Sequence, residues 1–262
     1  MNDTQMITIK NDHMLKKMTE AGRLLAHVFD EVRTYLRPGR TTLEVDAFIE
    51  QELAKRQMIS GSKGYQGYCH ASCISLNDEV VHGVPQEKKV IRDGDLVKID
   101  VCASHEGVFA DMTRSFCVGS VSDKVRKLVA ATQEALDEGI AQAKPGNYLT
   151  DISAAIQRTV EQYGFGVVRD FAGHGIGSLM HEEPEILNYG KPGMGPMLKH
   201  GMAFALEPMT TFKGYNVFID NDGWTVKTAD GSLAAHIEDT VLITDDGPRV
   251  VTRPEGGGGG AA

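Results

Sequence analysis

The chain repeats a set of landmarks at a constant offset of 107 residues, the separation of Pro38 from Pro145. Three landmarks coincide at this offset, namely Pro38-Gly39 with Pro145-Gly146, Gly94 with Gly201, and Asp100 with Glu207. The apolar positions that follow the first landmark also coincide: Val45, Ala47, Ile49 and Leu53 with Ile152, Ala154, Ile156 and Val160. An ungapped register over this length predicts a duplicated fold with a pseudo-twofold axis.

The duplication gives Asp100 and Glu207 equivalent places in the two halves. If the strands that carry them meet near the pseudo-twofold axis, the two carboxylates face each other in the interior. Repelling carboxylates in a protein core require a proton or a cation between them. The repeat therefore predicts a metal site at the centre of the molecule.

The hydrophobic pattern predicts two helix pairs and two groups of strands. Apolar residues recur at intervals of three and four over residues 13–36, and Thr42 is the predicted N-cap of a second helix ending near Arg56. The corresponding helices of the second half are predicted at 123–143 and 150–163. Strands are predicted at 96–101, 109–118, 202–207, 217–226 and 235–243. This order indicates an α+β sandwich with helices covering a mostly antiparallel sheet.

One domain of residues 1–255 is predicted, with pseudo-repeat halves at about 13–120 and 121–252 and a flexible glycine-rich tail at 256–262. The formal net charge of −9 disfavours a nucleic-acid-binding surface, so no DNA partner is expected. No apolar run approaches the roughly 18 residues of a membrane helix, and the N-terminus lacks the features of a secretory signal. The four cysteines include no Cys-x-x-Cys pair and are expected to be reduced thiols in the cytoplasm.

Five side chains are candidate metal ligands. Asp111 lies on the strand after Asp100, and a turn predicted at residues 103–107 would place the two carboxylates in facing positions of a hairpin. The second half offers Glu207 and Glu238, and His174 lies between glycines in a predicted loop. Four carboxylates and one imidazole suit two divalent cations a few ångströms apart, which is an arrangement for metal-assisted hydrolysis. Oxygen-rich ligation favours Mn²⁺, Fe²⁺ or Co²⁺ over a structural zinc site.

Three nearby groups of polar residues are not expected to ligate a metal. The segment 181–184 lacks the second histidine of the helical zinc motif H-E-x-x-H, and Pro184 would break the helix. Asp239 is expected on the opposite strand face from Glu238 and therefore outside the ligand set. His236 shares the face of Glu238, so it is either an outer partner of the ligands or a satisfied core histidine, and the first is favoured.

The ordered set Asp100, Asp111, His174, Glu207 and Glu238 resembles the ligands of the pita-bread metallopeptidases, family M24. Within this family the chain resembles the type I, or bacterial, methionine aminopeptidases over nearly its whole length. The resemblance is carried by the segments 73–85, 93–101, 173–177, 181–184, 207–209 and 222–226. The spacing of His174 and Glu207 leaves no room for the extra helical subdomain of type II enzymes, and the large N-terminal domain of prolidase and aminopeptidase P is not expected.

The resemblance implies a pita-bread fold and a metalloaminopeptidase that removes the initiator methionine from nascent proteins when the second residue is small. The implied chemistry is attack on the peptide carbonyl by a hydroxide held by two divalent ions, drawn from Co²⁺, Mn²⁺, Fe²⁺ or Zn²⁺. By position, Asp100 would chelate one ion, while Asp111 and Glu238 would bridge the pair. His174 and Glu207 would bind the other ion.

The resemblance also implies contacts to the substrate. His82 and His181 are expected to bind the scissile peptide as catalytic residues, and Glu207 to carry a proton from water to the leaving amine. An apolar methionine pocket is expected from Tyr65, Tyr68, Cys73 and Trp224. Some positions depart from the residues common in the family, and they bear on pocket shape, metal preference and pH profile: Ser62, Cys69, Met180, His236 and Asp239.

The partners implied are nascent polypeptide N-termini and, transiently, the ribosome, with the enzyme itself a monomer. Two alternatives stay open at this point. Some pita-bread proteins have lost their ligands and serve as binding factors, which the five retained ligands and both histidines argue against here. Other relatives are aminopeptidases with a broader or different first-residue preference, which peptides beginning with Met, Leu or Xaa-Pro would distinguish.

Overall fold

The computed structural model describes residues 7–253. This range contains four helices: α1 (Asp12–Tyr35), α2 (Thr42–Lys55), α3 (Asp123–Gln142) and α4 (Leu149–Gln162). It contains fifteen strands: β1 (Ile59–Ser60), β2 (Cys73–Leu76), β3 (Glu79–Val81), β4 (Leu96–His105), β5 (Val108–Cys117), β6 (Gly166–Val167), β7 (Gly173–Gly175), β8 (Glu182–Ile186), β9 (Ala203–Leu206), β10 (Met209–Thr211), β11 (Val217–Ile219), β12 (Val226–Thr228), β13 (Ala234–His236), β14 (Asp239–Thr244) and β15 (Gly247–Val250). The predicted tail at 256–262 lies outside the described residues.

Local capping sets the start of the first two helices. Asn11 caps α1, because its side chain accepts a hydrogen bond from the Met14 amide. Thr41 is the N-cap of α2 and forms a capping box with Glu44. The prediction of Thr42 as N-cap is therefore wrong by one residue. The Thr42 hydroxyl donates instead to the carbonyl oxygen of Gln86, which ties the first turn of α2 to the loop after β3.

The strands form antiparallel sheets against which the helices pack. One sheet has the order β1-β4-β2, with β5 also paired to β4, and another has the order β15-β14-β9-β7-β8. Two three-stranded sheets, β13-β10-β6 and β11-β12-β3, complete the described strands. Helix α1 packs on β4 and β5, while α3 packs on α4 and on β10 and β13. The predicted α+β class with a mostly antiparallel sheet is confirmed.

Three strand predictions need correction. The β4–β5 hairpin turns at Glu106-Gly107, where both residues have positive φ, instead of bending from residue 103. The strand predicted at 217–226 is the hairpin of β11 and β12, because Asp222 accepts hydrogen bonds from the amides of Trp224 and Thr225 and so closes a turn. The strand predicted at 235–243 is interrupted between β13 and β14.

The offset of the repeat aligns the elements of the two halves. Helices α2 and α4 both have 14 residues, and they begin at Thr42 and Leu149, positions that the offset superimposes. Strands β4 and β9 also begin at superimposed positions. The glycines of the repeat share a conformation, with φ of 91° at both Gly39 and Gly146, and of 90° and 87° at Gly94 and Gly201. The division into halves at 13–120 and 121–252 stays a prediction.

Each helix pair covers its own hydrophobic core. One core gathers residues of α1, α2, β4 and β5, including Met18, Ile49 and Ile99. The other gathers residues of α3, α4, β9 and β14, including Leu128, Ile156 and Phe204. Strands that contribute to these cores, among them β4, β5 and β9, also carry or adjoin the polar residues of the site described below. Within residues 7–253, no helix is both long and apolar enough to cross a membrane.

Candidate metal centre

Asp100 and Asp111 lie on adjacent strands of the β4–β5 hairpin. The register pairs Asp100 with Thr113 and Cys102 with Asp111, so the two carboxylates are diagonal neighbours on one face of the hairpin. The prediction that they face each other directly is wrong by two residues, because the turn lies later than expected. Their shared face follows from strand alternation, and it points both carboxylates to the same side.

His174 lies on the short strand β7 rather than in the predicted loop. Its flanking glycines are required by crowding, since a Cβ at Gly173 would lie 2.4 Å from the Ala205 carbonyl oxygen and one at Gly175 would lie 2.1 Å from that of Glu183. The His174 Nδ1 is 2.8 Å from the Gly175 carbonyl oxygen, to which it donates as N–H. This bond leaves Nε2 as the nitrogen with a free lone pair, aimed at the carboxylates.

Glu207 and Glu238 enter the site where strands of the second half end. Glu207 follows β9 directly, and Pro208 then separates it from β10. Glu238 lies between β13 and β14, and it forms an isolated backbone bridge with Thr113 of β5. The Thr113 hydroxyl donates to Glu238 Oε2 at 2.8 Å. Sequence analysis missed Thr113, although its position two residues after Asp111 on one strand face was a usable signal.

Two further hydroxyl groups join β5 to the Glu238 segment on either side of this bridge. The Thr240 hydroxyl accepts from the Asp111 amide and donates to the Asp111 carbonyl oxygen, both at 2.8 Å. The Ser115 hydroxyl accepts from the His236 amide at 3.1 Å and donates to the His236 carbonyl oxygen at 2.8 Å. Between β5 and the Glu238 segment, the hydroxyl groups of Thr240 and Ser115 thus take the place of backbone-to-backbone hydrogen bonds.

The ligand atoms converge at a spacing suited to a cation. One atom each from Asp111, His174 and Glu238 lies within 4.8 Å of the others. His174 Nε2 is 3.8 Å from Asp111 Oδ2 and 3.7 Å from Glu207 Oε1. Asp100 lines the cavity beside them, together with His174 and Glu207. Carboxylate oxygens with one imidazole nitrogen are the donors that divalent metals such as Mn²⁺, Fe²⁺ and Co²⁺ accept, so the residues fit the expected group.

The electrostatics of the carboxylate cluster also favour a bound cation. Burial, reinforced by the neighbouring carboxylates, raises the pKa of Asp100, Glu207 and Glu238 well above its usual range. Burial raises the pKa of Asp111 to about 6, against hydrogen bonds from Cys102 and the Met112 amide. Burial and the nearby His181 lower the pKa of His174 to about 4. A bound cation would offset the repulsion among these carboxylates, and the neutral imidazole would offer it a lone pair.

His82 and His181 lie at the same cavity, which has a volume of about 320 Å³. The His82 ring contacts Phe171 at a centroid distance of 5.5 Å, and burial lowers the pKa of His82 to about 4. The backbone of His82 has φ of 56°, an unusual value for a residue with a side chain. The His181 ring lies 4.4 Å from that of His174 and 5.5 Å from that of Tyr65. Both predicted histidines therefore line the cavity that Asp100, His174 and Glu207 also line.

The residues predicted for a methionine pocket form two groups. Tyr68, Cys73 and Trp224 lie together next to the first-half ligand, since Cys73 pairs with Asp100 across β2 and β4 and the rings of Tyr68 and Trp224 are 5.0 Å apart. The Tyr68 hydroxyl donates to the Ser72 carbonyl oxygen at 2.9 Å, which holds the buried ring in place. None of the four predicted pocket residues is among those that line the cavity beside Asp100. Tyr65 is partly exposed and lies separately against His181.

His236 and Asp239, two departures from the common family pattern, have different surroundings. His236 is 2% exposed and lines the cavity, and its Nε2 is 3.3 Å from Glu207 Oε2 without the geometry of a hydrogen bond. Asp239 is fully buried and forms ion pairs with Arg114 and Arg253, both at 2.6 Å. These contacts place Asp239 outside the ligand cluster, while His236 adjoins a ligand.

The sequence profile of metallopeptidase family M24 matches residues 16–245. The chain belongs to metallopeptidase family M24. It is 44% identical to the methionine aminopeptidase of Clostridium acetobutylicum, with 94% of this chain and 99% of the relative aligned. It is 42% identical to methionine aminopeptidase 1 of Bacillus subtilis, with 95% and 100% aligned.

A solved structure supports the same family assignment. The crystal structure of a methionine aminopeptidase from Thermotoga maritima superimposes with a TM-score of 0.93 at 42% identity, covering 95% of this chain and 100% of that one. The predicted pita-bread fold is therefore confirmed. As a member of family M24 the chain is a divalent-metal-dependent peptidase, and the clustered Asp111, His174 and Glu238 are consistent with that chemistry.

Proposed function

We propose that the chain is a methionine aminopeptidase that removes the initiator methionine from nascent polypeptides whose second residue is small. The supporting observation is the convergence of Asp100, His174 and Glu207 at one cavity that also carries His82 and His181. Asp111 and Glu238 cluster around the same His174. The methionine aminopeptidases of Clostridium acetobutylicum and Bacillus subtilis align over more than nine-tenths of this chain.

Two divalent ions are proposed. Asp100 would help to hold one and His174 and Glu207 the other, with Asp111 and Glu238 as further ligands. Bound there, the ions would supply a Lewis acid for the peptide carbonyl and make a water molecule acidic at neutral pH. Thr113 holds one oxygen of Glu238 and so limits how that carboxylate can turn.

The remaining side chains orient the substrate and move its proton. We assign to the Glu207 carboxylate, which lines the cavity, the transfer of a proton from water to the departing amine. Both His82 and His181 line the cavity, and we assign to them the binding of the scissile peptide. Tyr68, Cys73 and Trp224 supply an apolar pocket with aromatic faces, which suits a thioether side chain.

The substrate class sets the expected setting of the enzyme. We propose that it acts in the cytoplasm as a monomer on the N-termini of nascent chains, in transient contact with the ribosome. The net charge of −9 supports a partner other than bare DNA, because phosphate contacts need clustered basic side chains.

The test is hydrolysis of Met-Ala-Ser and Met-Lys-Ser peptides by chelator-stripped protein, with and without Mn²⁺ or Co²⁺. Metal-dependent release of methionine from the first peptide only is the expected result, with loss of release in Glu207→Ala. Glu138→Ala, which removes an exposed carboxylate of α3, is the matched control and should keep full activity.

Two outcomes would redirect the proposal. Release from Leu- or Xaa-Pro-initiated peptides at a comparable rate would replace methionine specificity with a broader aminopeptidase activity. Folded protein that releases methionine with none of the metals would contradict the enzyme assignment and favour a binding factor.

A further inference from the structure

A buried ion pair connects the N-terminal segment to the loop that carries His181. Lys10 Nζ lies 2.8 Å from Glu182 Oε2, and the two side chains are only 1% and 5% exposed. Glu182 is the chain neighbour of His181 and also lines the cavity. A buried ion pair is weak evidence of a gain in stability, because desolvation of both charges opposes their attraction. The placement of this pair beside the cavity therefore points to a functional role.

Every proton of the Lys10 ammonium group has a nearby acceptor. Lys10 Nζ donates to Glu182 Oε2, to the Thr8 hydroxyl at 2.6 Å and to the Thr8 carbonyl oxygen at 3.2 Å. The Thr8 hydroxyl in turn donates to Glu182 Oε2. The Lys10 amide donates to the Gly201 carbonyl oxygen at 2.7 Å, which anchors the segment to the second half. The network reaches from the exposed Thr8 to the buried Lys10 and Glu182 side chains, and a fully satisfied polar network of this kind favours one geometry.

The other carboxylate oxygen of Glu182 holds the loop before His181. Glu182 Oε1 accepts from the Leu179 amide at 3.2 Å and from the Ser178 hydroxyl at 3.5 Å. Gly177 lies so close that an added Cβ would be 2.6 Å from both Glu182 Oε1 and Lys10 Cε. The loop 177–182 thus packs around the Glu182 side chain. The Lys10 ammonium group binds that side chain and holds it in position.

We propose that Lys10 and Glu182 are positioning residues that hold His181 over the metal centre. The contacts run without a break from Gly201 and Thr8 through Lys10 to Glu182, and from there along the chain to His181. Neither Lys10 nor Glu182 is among the five proposed metal ligands, so the pair acts on substrate orientation and leaves ion binding alone. The inference rests on the proposed function, because it assigns His181 a contact to substrate.

The test compares Lys10→Met with Lys17→Met. Lys17 forms a partly exposed ion pair with Glu106 at 3.7 Å, so its substitution removes an equivalent charge from the same part of the chain. Because a catalytic group displaced by about 1 Å costs on the order of 10²-fold in rate, Lys10→Met should lower kcat/KM for Met-Ala-Ser by about 10- to 100-fold. Lys17→Met should leave it unchanged. Calorimetric affinity for Mn²⁺ should be the same in both variants.

The decisive arm repeats Lys10→Met in a His181→Ala background. If the pair acts through His181, the second substitution costs nothing further, since the two residues belong to one coupled unit. A readout independent of turnover is the rate at which diethyl pyrocarbonate modifies His181, followed by mass spectrometry. That rate should rise several-fold in Lys10→Met and stay at the wild-type value in Lys17→Met.

Two results would overturn the inference. One is a loss in kcat/KM that persists undiminished in the His181→Ala background, which would show a purely structural role. The other is a wild-type rate of His181 modification in folded Lys10→Met. Should Lys10→Met fail to fold, Thr8→Val removes the two bonds of the Thr8 hydroxyl without stranding a charge, and the same shifts are expected at smaller size. If wild-type protein releases no methionine, the proposed function fails while the modification rate still tests the positioning.

Discussion

The two predicted halves of the molecule resemble each other in their helices and differ in their strands. Helices α2 and α4 have the same length and superimposed starts, and the glycines before them have the same φ of 91°. Strand β4, in contrast, runs for 10 residues into a tight hairpin, while β9 stops after 4 residues. Glu207 lies just beyond that stop, whereas its counterpart Asp100 lies within a continuous strand.

The divergence concentrates imidazoles in the second half. The first half contributes Asp100, Asp111 and His82 to the site, and the second half contributes the candidate ligands Glu207 and Glu238 together with His174, His181 and His236. Helix packing tolerates little change because each helix pair covers a close-packed core. Strand ends and loops are less constrained than packed helices, and the difference in imidazole number between the two halves lies there.

Substitution at the equivalent positions Asp100 and Glu207 should give the largest effects and should separate their roles. Glu207→Gln is expected to lower kcat by on the order of 10²- to 10⁴-fold even with saturating Mn²⁺, because it removes both a ligand and the proton carrier. Asp100→Asn should weaken Mn²⁺ binding and recover activity in part as Mn²⁺ is raised. Activity measured across a Mn²⁺ titration distinguishes them, and identical curves would show that the two halves still contribute equally.

Substitution of His236 tests a contact between an imidazole and Glu207 that has no counterpart at Asp100. His236 Nε2 lies 3.3 Å from Glu207 Oε2, whereas Asp100 has the Thr113 hydroxyl as its neighbour. Loss of an outer partner of a ligand typically costs about 10- to 100-fold in metal affinity or activity, and this is expected for His236→Ala. His236→Gln should recover part of the loss, because its amide can donate to the same oxygen. Mn²⁺ calorimetry with kcat measurements checks both variants, and wild-type values in His236→Ala would contradict the contact.

The paired glycines Gly94 and Gly201 should differ in their tolerance of alanine. Both have positive φ, so each substitution should cost about 1 to 3 kcal/mol of unfolding free energy for strain alone. At Gly201 the new Cβ would also lie 2.7 Å from Ile9 and from the Lys10 carbonyl oxygen, and such overpacking adds about 1 to 3 kcal/mol. At Gly94 the nearest atom is 3.4 Å away. Urea unfolding of both variants measures the difference, and equal losses would mean that the N-terminal segment yields freely.

The helix caps should give the smallest effects. The Thr41 hydroxyl accepts from the Glu44 amide, and Thr41→Ala should destabilise the protein by about 1 kcal/mol. At the superimposed start of α4, Asp151 accepts from the Tyr148 amide, but the Tyr148 side chain provides no cap. Tyr148→Ser should therefore stabilise the protein by up to about 1 kcal/mol. Thermal unfolding of the two variants should show shifts of opposite sign, and a loss in Tyr148→Ser would show that its ring packing outweighs the missing cap.

The elements with local signals were predictable from the sequence. Apolar periodicity predicted the helices. The repeated glycines predicted turns, because glycine readily adopts the positive φ that these turns require. The strand break at Glu238 was not predictable, because it depends on distant contacts. The register of Asp111 was wrong for a local reason, since the hairpin turns at Glu106-Gly107. The hydroxyls of Thr240 and Ser115 pair with residues about half a chain away, and nothing in their local sequence distinguishes them from solvated side chains. The Thr42 cap, by contrast, was wrong although a local signal was present, since Thr41 and Glu44 have the spacing of a capping box.

The bond from Thr113 to Glu238 spans 125 positions of the chain. Closing so long a loop is entropically costly and slow, so we expect the metal centre to assemble among the last steps of folding. During synthesis, Asp100 and Asp111 leave the ribosome well before His174, Glu207 and Glu238, and two carboxylates alone make a poor trap for a cation. We therefore expect tight metal binding only once the whole chain has folded, and a chain truncated before Glu238 should bind metal weakly and lack activity.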